Sequence, residues 1–307
     1  MRAALIRAHG EPDVVEIAEV DDPLVGPDSV LIEVAASSVN PVDWKIVAGY
    51  LTGALPHHLP MIPGWDVAGT VKAVGPAVTT VSVGDRVAAY DREDHVQHGT
   101  YAELTSVPER TVARIPDGVS FEQAGALPLA GLTAAQALDA VGVVAGDTVL
   151  VHAAAGGVGS MAVQLAVHGG ARVIGTASPA NHDYLRDLGA EPVEYGDDLV
   201  DNVRELAPDG VDVVVDLIGG DALAATPKVL APGGRVVSII DAATVSQLGG
   251  AYVFVRGRGD QLGQLLTLVA DGTLRVQIAE AFTLERTADA LRASMGGHVR
   301  GKVVITL

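Results

Sequence analysis

No cysteine occurs in the 307 residues. That excludes disulfides, thiolate nucleophiles, iron–sulfur clusters held by cysteine and any zinc site with a thiolate ligand. Basic residues are scarce as well, with 20 Lys and Arg against 38 Asp and Glu and a formal charge of −18. A surface of that sign repels phosphate backbones and anionic lipid headgroups unless a basic patch intervenes, and the densest cationic pair is only Arg256 with Arg258. Neither nucleic acid nor a membrane is an expected partner. Gly, Pro or a charge interrupts every apolar stretch before the roughly 18 residues of a membrane helix. The segment Met1 to Arg7 has no long apolar region and no small-residue cleavage site, so the expectation is an unprocessed cytoplasmic chain. Solenoid repeats, low-complexity tracts and linkers are missing too.

What is present is globular: 49% hydrophobic residues, with 36 glycines and 16 prolines spread along the chain. The length suits two domains of about 150 residues each. Up to about residue 120, short extended segments (Ala3 to Ile6, Val14 to Glu19, Ser29 to Ala36, Val67 to Val74, Arg86 to Ala89, Tyr101 to Val107) are separated by Pro and Gly turns. From about 121 the rhythm predicts strands alternating with helices, the pattern of a doubly wound parallel sheet. Strands are expected at Asp147 to His152, Arg172 to Thr176, near Val193, Val211 to Asp216 and Arg235 to Ile240. Helices are expected at Val158 to His168, Asn181 to Leu188, Asp198 to Leu206, Asp221 to Leu230 and Gln261 to Asp271, with a turn at Pro232 to Gly234. The segment Val276 to Leu307 reads as strand, helix, strand and is expected to fold back onto the first domain.

The strongest local motif runs from Val149 through Ala153, Ala154, Ala155, Gly156, Gly157, Val158 and Gly159 into an amphipathic run. Small residues at a strand-to-helix turn let a pyrophosphate approach the backbone and lie against the N–H groups that open the helix. The motif is looser than G-x-G-x-x-G, and a tight structural turn alone has the same composition; its place at the head of βα units favours dinucleotide binding. An NAD site would carry an acid at the end of the second strand, whereas Val173 to Pro179 contains none. Thr176 and Ser178, followed by Asn181 and His182, leave room and donors for a 2′-phosphate, which points to NADPH in preference to NADH.

Hydride chemistry on a simple alcohol needs a metal or a Tyr with a Lys four residues on. Four residues after Tyr50, Tyr184 and Tyr195 stand Ala54, Leu188 and Leu199. An acceptor that already takes hydride readily, such as a quinone or an α,β-unsaturated carbonyl, needs less help than that. His95 and His98, beside Asp91, Glu93 and Asp94, read as a solvated loop rather than a metal site.

A series of short motifs completes the picture: Ser38 to Trp44, Pro63 to Gly69, Val83 to Val87, Gly99 to Glu103, Leu127 to Ala134, the Ala153 to Gly159 loop and His298 to Val304. In that order the chain resembles, over nearly its whole length, the zinc-free quinone oxidoreductase branch of the medium-chain dehydrogenase/reductase superfamily. The resemblance implies an α/β architecture with a GroES-like, mostly β catalytic domain (1–121 and 272–307) and a Rossmann nucleotide domain (122–271). Zinc-dependent relatives hold the metal with a Cys near 41 to 43, a His in Gly-His-Glu and a Cys shortly before Thr133; here Pro41 to Asp43, Gly64-Trp65-Asp66 and Leu129 stand there. No metal is expected.

By the same resemblance Asn40 and Asp43 form a polar floor beside the nicotinamide, and Tyr50 orients a carbonyl oxygen. Thr133 contacts the cofactor, Tyr195 lies at the adenosine phosphate edge, and Lys302 lies at the phosphate end. Asn40 before Pro41 also reads as a turn residue and Lys302 as a surface cation. Ala155, Gly156, Gly157, Val158, Thr176, Ser178 and His182, with Ile218, Ile240 and Phe254, complete the expected cofactor contacts. The expected activity is NADPH-dependent, zinc-independent hydride transfer to a quinone. The alternatives are an enone or enal reductase and a non-catalytic NADPH-binding redox sensor. A homodimer is expected through the nucleotide-domain sheet edge, near Val236 to Ile240 and Ala251 to Val255.

Overall fold

The computed structural model describes residues 1–297 and 299–307; His298, part of the final landmark motif, lies outside the described residues. The chain divides into two compact units, Met1–Leu132 with Gly257–Gly272 and Val276–Leu307, and Thr133–Arg256 with Thr273–Arg275.

The first unit is built on the strand Ser29–Val39. Its inward side chains Val30, Ile32 and Val34 alternate with outward ones and meet Val67, Val71 and Val87 in one core. This strand pairs antiparallel with Asp66–Val74, Leu104–Pro108 and Lys302–Thr306. Lys302–Thr306 is flanked on its other side by Ile278–Thr283, so the 276–307 segment does return to the first unit's sheet. The expected strands are found to within a few residues, except that Pro12–Val14 forms a 3₁₀ turn and the second strand shortens to Glu16–Glu19. Four helices went unanticipated, Pro41–Val47, Phe121–Ala126, Pro128–Ala140 and Ala242–Gln247, as did the strands His57–Ile62, Val96–His98 and Val112–Arg114. The compact first unit is larger than 1–121 plus 272–307, because Phe121–Ala126 packs on Ser29–Val39 and Asp66–Val74, and Gly259–Ala270 packs on Val112–Arg114.

The second unit holds a six-stranded parallel sheet. Across it lie Ala190–Val193, Arg172–Thr176, Thr148–Val151, Val211–Asp216, Leu230–Ser238 and Ala251–Tyr252, in chain order third, second, first, fourth, fifth, sixth. The order reverses beside Thr148–Val151, the crevice where doubly wound sheets bind ligands. The central strands are almost wholly buried, as a sheet covered on both faces requires. Three expectations are corrected. The helix foreseen at Asp221 to Leu230 is split into Gly220–Ala224 and Thr226–Val229, because Pro227 cannot continue the helical hydrogen bonding. The turn at Pro232 to Gly234 is an irregularity inside the strand Leu230–Ser238, with the register shifting opposite Val211 to Val213. The segment Val236 to Ile240 is not an edge, since Ala251–Tyr252 pairs outside it.

Candidate functional site

In the second unit the chain leaves Thr148–Val151, turns at Ala153 (φ 51°) and enters the helix Gly157–His168. Thr176 clamps the turn: its Oγ1 accepts the Ala153 N–H at 3.0 Å and its carbonyl accepts the Ala154 N–H at 3.0 Å. Gly156 N–H closes the turn onto the Ala153 carbonyl at 3.1 Å. A Cβ at Gly159 would collide with that same carbonyl, so helix and turn meet only through glycine. The first intrahelical bond is Ser160 N–H to the Gly156 carbonyl, which leaves the N–H groups of Gly157, Val158 and Gly159 without an acceptor one turn back. These donors and the helix dipole form a cradle that fits a pyrophosphate. Ala155, Gly156, Gly157 and Val158 lie in this turn and helix start, and Thr176 is buried with its hydroxyl on the loop backbone.

At the carboxyl ends of the neighbouring strands, buried Asp216 accepts Ser238 Oγ–H at 2.6 Å and the N–H groups of Ile218 and Gly219 at 3.2 and 2.9 Å. Ser238 Oγ in turn accepts the N–H groups of Ile240 and Asp241, each at 3.1 Å. Both loops are thereby fixed, and they present Ile218 (59% exposed) and Ile240 (48%) to solvent, as the next strand's exit presents Phe254 (51%). Exposed apolar side chains at this end of the sheet fit the flat faces of a dinucleotide. Tyr195 is exposed as well. At the second strand's end Ser178 is partly exposed, with Asn181 Nδ2 3.4 Å from its Oγ, and a ring nitrogen of His182 lies 3.3 Å from the Ala177 carbonyl. Thr133 is buried.

The first unit brings Asn40, Asp43 and Lys302 together. Asn40 opens the helix Pro41–Val47, with Pro41 at the position that best tolerates a missing N–H. Asp43 Oδ2 accepts the Asn40 backbone N–H at 2.7 Å and the Tyr101 hydroxyl at 2.9 Å, while its Oδ1 has no partner. Asp66 Oδ2 accepts Ser38 Oγ–H at 2.6 Å and Asn40 Nδ2–H at 2.8 Å, and its Oδ1 accepts the Leu129 N–H at 2.7 Å. Lys302 Nζ donates to Asn40 Oδ1 at 2.5 Å and to the Val39 carbonyl at 3.4 Å, and lies 3.7 Å from Asp66 Oδ2. Lys302 is 4% exposed, so neither a surface cation nor an ammonium turned outward to a phosphate describes it here. Gly64 (φ 95°) lets the chain pass under the Tyr101 ring, which a Cβ there would strike.

Burial pushes the Asp43 carboxyl up to about 7, helped by the neighbouring Asp66 charge and opposed by the Asn40 N–H, the Tyr101 hydroxyl and Lys302. Burial also raises Tyr101 well above the usual phenol range, and it lowers Lys302 against the pull of Asp66 and Asp43. Tyr50 stands apart from the cluster, 70% exposed, with its ring edge-on to Trp44 at 6.2 Å. His95 pairs with Glu93 at 3.2 Å, and Asp91 is buried against Thr105 Oγ1 at 2.8 Å, so the acidic-histidine segment does not converge. Among the described residues no group of three or more His, Asp or Glu side chains is arranged to hold a metal ion.

Sequence reasoning missed Asp66, Tyr101, Ser38, Asp216 and Ser238. The available signal was a charge at the end of a strand whose neighbouring residues are apolar, as at Asp66, Asp216 and Lys302, because a buried charge requires partners.

Two family models match: the alcohol dehydrogenase GroES-like domain over residues 26–117 and the zinc-binding dehydrogenase family over residues 188–305. The chain is 37% identical over 315 residues to the chloroplastic NADPH-dependent alkenal/one oxidoreductase of Arabidopsis thaliana, covering 99% of this chain and 79% of that one. Among solved structures, the quinone oxidoreductase from Coxiella burnetii superposes with a TM-score of 0.89 at 34% identity, covering 100% of this chain and 99% of the other. A mycobacterial protein complexed with NADPH gives a TM-score of 0.85 at 33% identity with full coverage of both chains. With the GroES-like and Rossmann units both in place, the chain belongs to the quinone oxidoreductase branch of the medium-chain dehydrogenase/reductase superfamily.

Proposed function

We propose that the protein is an NADPH-dependent reductase that delivers hydride to a quinone or another electrophilic acceptor without using zinc. One observation carries the reading: a dinucleotide cradle at Ala153–Gly159, with a second strand that ends in Thr176 and no carboxylate. Reduced nicotinamide, when bound, supplies the hydride. The residues of the chain bind and orient. Gly157, Val158 and Gly159 offer N–H groups to the pyrophosphate, and Ser178 and His182 face the 2′-phosphate. Ile218, Ile240 and Phe254 cover the rings. Asn40 presents a fixed amide at the substrate side, exposed Tyr50 orders the acceptor oxygen or a water, and water supplies the proton. The chain offers no cysteine ligand and no Tyr-Lys pair for polarising an unactivated carbonyl, which favours acceptors that need little activation.

The name of the Arabidopsis relative supports a second reading, reduction of an enone or enal at its C=C bond. The test is consumption of NADPH against NADH by chelator-treated protein, offered 1,4-benzoquinone, 9,10-phenanthrenequinone or a simple enone. Chelator-insensitive turnover that prefers NADPH supports the proposal, and the better acceptor ranks quinone against enone. Cofactor binding without turnover on any acceptor refutes it and favours a non-catalytic sensor. We further propose a homodimer formed at the Ala251–Tyr252 edge; a monomer in sedimentation at micromolar concentration would remove it.

A further inference from the structure

The amide of Asn40 has only one orientation compatible with its neighbours. Its Oδ1 faces an ammonium, which has donors and no acceptor, and its Nδ2 faces a carboxylate oxygen. Turning the amide over would set N–H against N–H at Lys302 and oxygen against oxygen at Asp66. The backbone of the same residue is anchored separately, by Asp43 Oδ2. Lys302 directs its ammonium to Asn40, the Val39 carbonyl and Asp66, and Asp66 gathers Ser38, Asn40 and the Leu129 N–H onto one buried carboxylate. A buried ion pair of this kind is seldom a net source of stability, because a well-packed apolar replacement does as well or better. What it does provide here is direction.

We infer that Lys302 and Asp66 are positioning residues that lock the side-chain amide of Asn40, itself 2% exposed, in a single orientation and so fix the direction of its remaining N–H. This rests on the reading of Asn40 as a substrate-side residue. Lys302 therefore contributes to turnover through Asn40, from inside the first unit.

The test is a two-by-two comparison of wild type, Lys302→Met, Asn40→Ala and the double variant, with kcat and KM measured for NADPH and the best acceptor. Folding is checked by circular dichroism. Misaiming a polarising group lowers kcat by roughly 10- to 100-fold, with the KM for NADPH nearly unchanged. In the Asn40→Ala background the Lys302→Met effect disappears, since there is no amide left to aim. A merely structural lysine gives the same loss in both backgrounds, and that result, or wild-type kcat in Lys302→Met, overturns the inference. Wild-type kcat in Asn40→Ala overturns it together with the reading of Asn40, whereas an impaired Asn40→Ala beside an unaffected Lys302→Met overturns the inference alone.

A second readout does not need turnover. The Asn40 side-chain amide resonances, identified by their loss in Asn40→Ala, are sharp and protected from solvent exchange in the wild type and shift and broaden in Lys302→Met. Unchanged resonances overturn the inference. Lys302→Leu, which likewise removes the donor, replaces the methionine variant if the latter does not fold.

Discussion

Replacing Asp43 by Asn leaves the protein's stability nearly unchanged in acid and raises it in alkali. In the unfolded chain the carboxyl ionises near 3.8, and in the folded protein near 7. As the pH rises between these values the unfolded chain releases its proton first, so folding is penalised progressively and the penalty is complete above about 7. A difference of about 3 pH units at 1.36 kcal/mol each gives a plateau of about 4 kcal/mol. An asparagine escapes this penalty. Its oxygen, placed where Oδ2 lies, still accepts the Asn40 N–H and the Tyr101 hydroxyl, while its amide nitrogen falls where Oδ1 has no partner. In acid the wild-type carboxyl carries its proton at the same partnerless oxygen, so both proteins then hold an unsatisfied buried donor of about 1–3 kcal/mol and the cost cancels between them. The Asp43→Asn variant thus matches the wild type to within about 1 kcal/mol near pH 4 and is up to about 4 kcal/mol more stable above about pH 8. Urea unfolding of both proteins across this range is the assay. A difference that stays constant with pH would refute the reasoning, because it would mean that Asp43 titrates alike in the folded and unfolded chains.

Three further outcomes follow from the sites. Gly159→Ala forces a Cβ against the Ala153 carbonyl and opens the turn, so NADPH affinity in a fluorescence titration falls by at least about tenfold while the first unit's stability is unchanged. Ser178→Asp restores the acid that NAD-preferring sites carry near this strand end, and the ratio of kcat/KM for NADPH to that for NADH drops by roughly tenfold or more. Tyr50→Phe, at an exposed position, lowers kcat/KM for the acceptor by roughly two- to tenfold and leaves the Kd for NADPH unaltered.

The parallel sheet was legible because its strands are continuous apolar runs and its turns carry Gly or Pro, and Arg172–Thr176 and Val211–Asp216 were placed to the residue. Pro41–Val47 was not: seven residues are too few for helical periodicity to declare itself. Asn40 and Asp43 were visible as a polar pair, but only the folded chain shows that Asp43 holds the Asn40 backbone N–H. The hold of the Thr176 hydroxyl on the Ala153 N–H was not legible, because a hydroxyl at a strand end serves a loop N–H as readily as a phosphate. The Asp66–Lys302 pair was hidden by distance along the chain. Each member stood within a landmark motif, and the sequence contains nothing local that joins the two.

That distance has a consequence for biosynthesis. Lys302 and Asn40 are 262 residues apart, and the strand Lys302–Thr306 lies inside its sheet, between Ile278–Thr283 and Ser29–Val39. At about 5–20 residues per second, the ribosome needs roughly 13 to 50 s after Asn40 before the cation is made. Through that interval Asp66 belongs to a sheet with an open edge at Ala36 to Val39 and Asp43 to the helix that follows that edge, while every strand of the nucleotide-binding sheet, Thr148 to Tyr252, has already emerged in order. The Rossmann unit can assemble as it is synthesised, whereas the unit bearing Asn40 must wait for a segment made after the other has formed, and until then its exposed edge is open to chaperones and to misassembly alike.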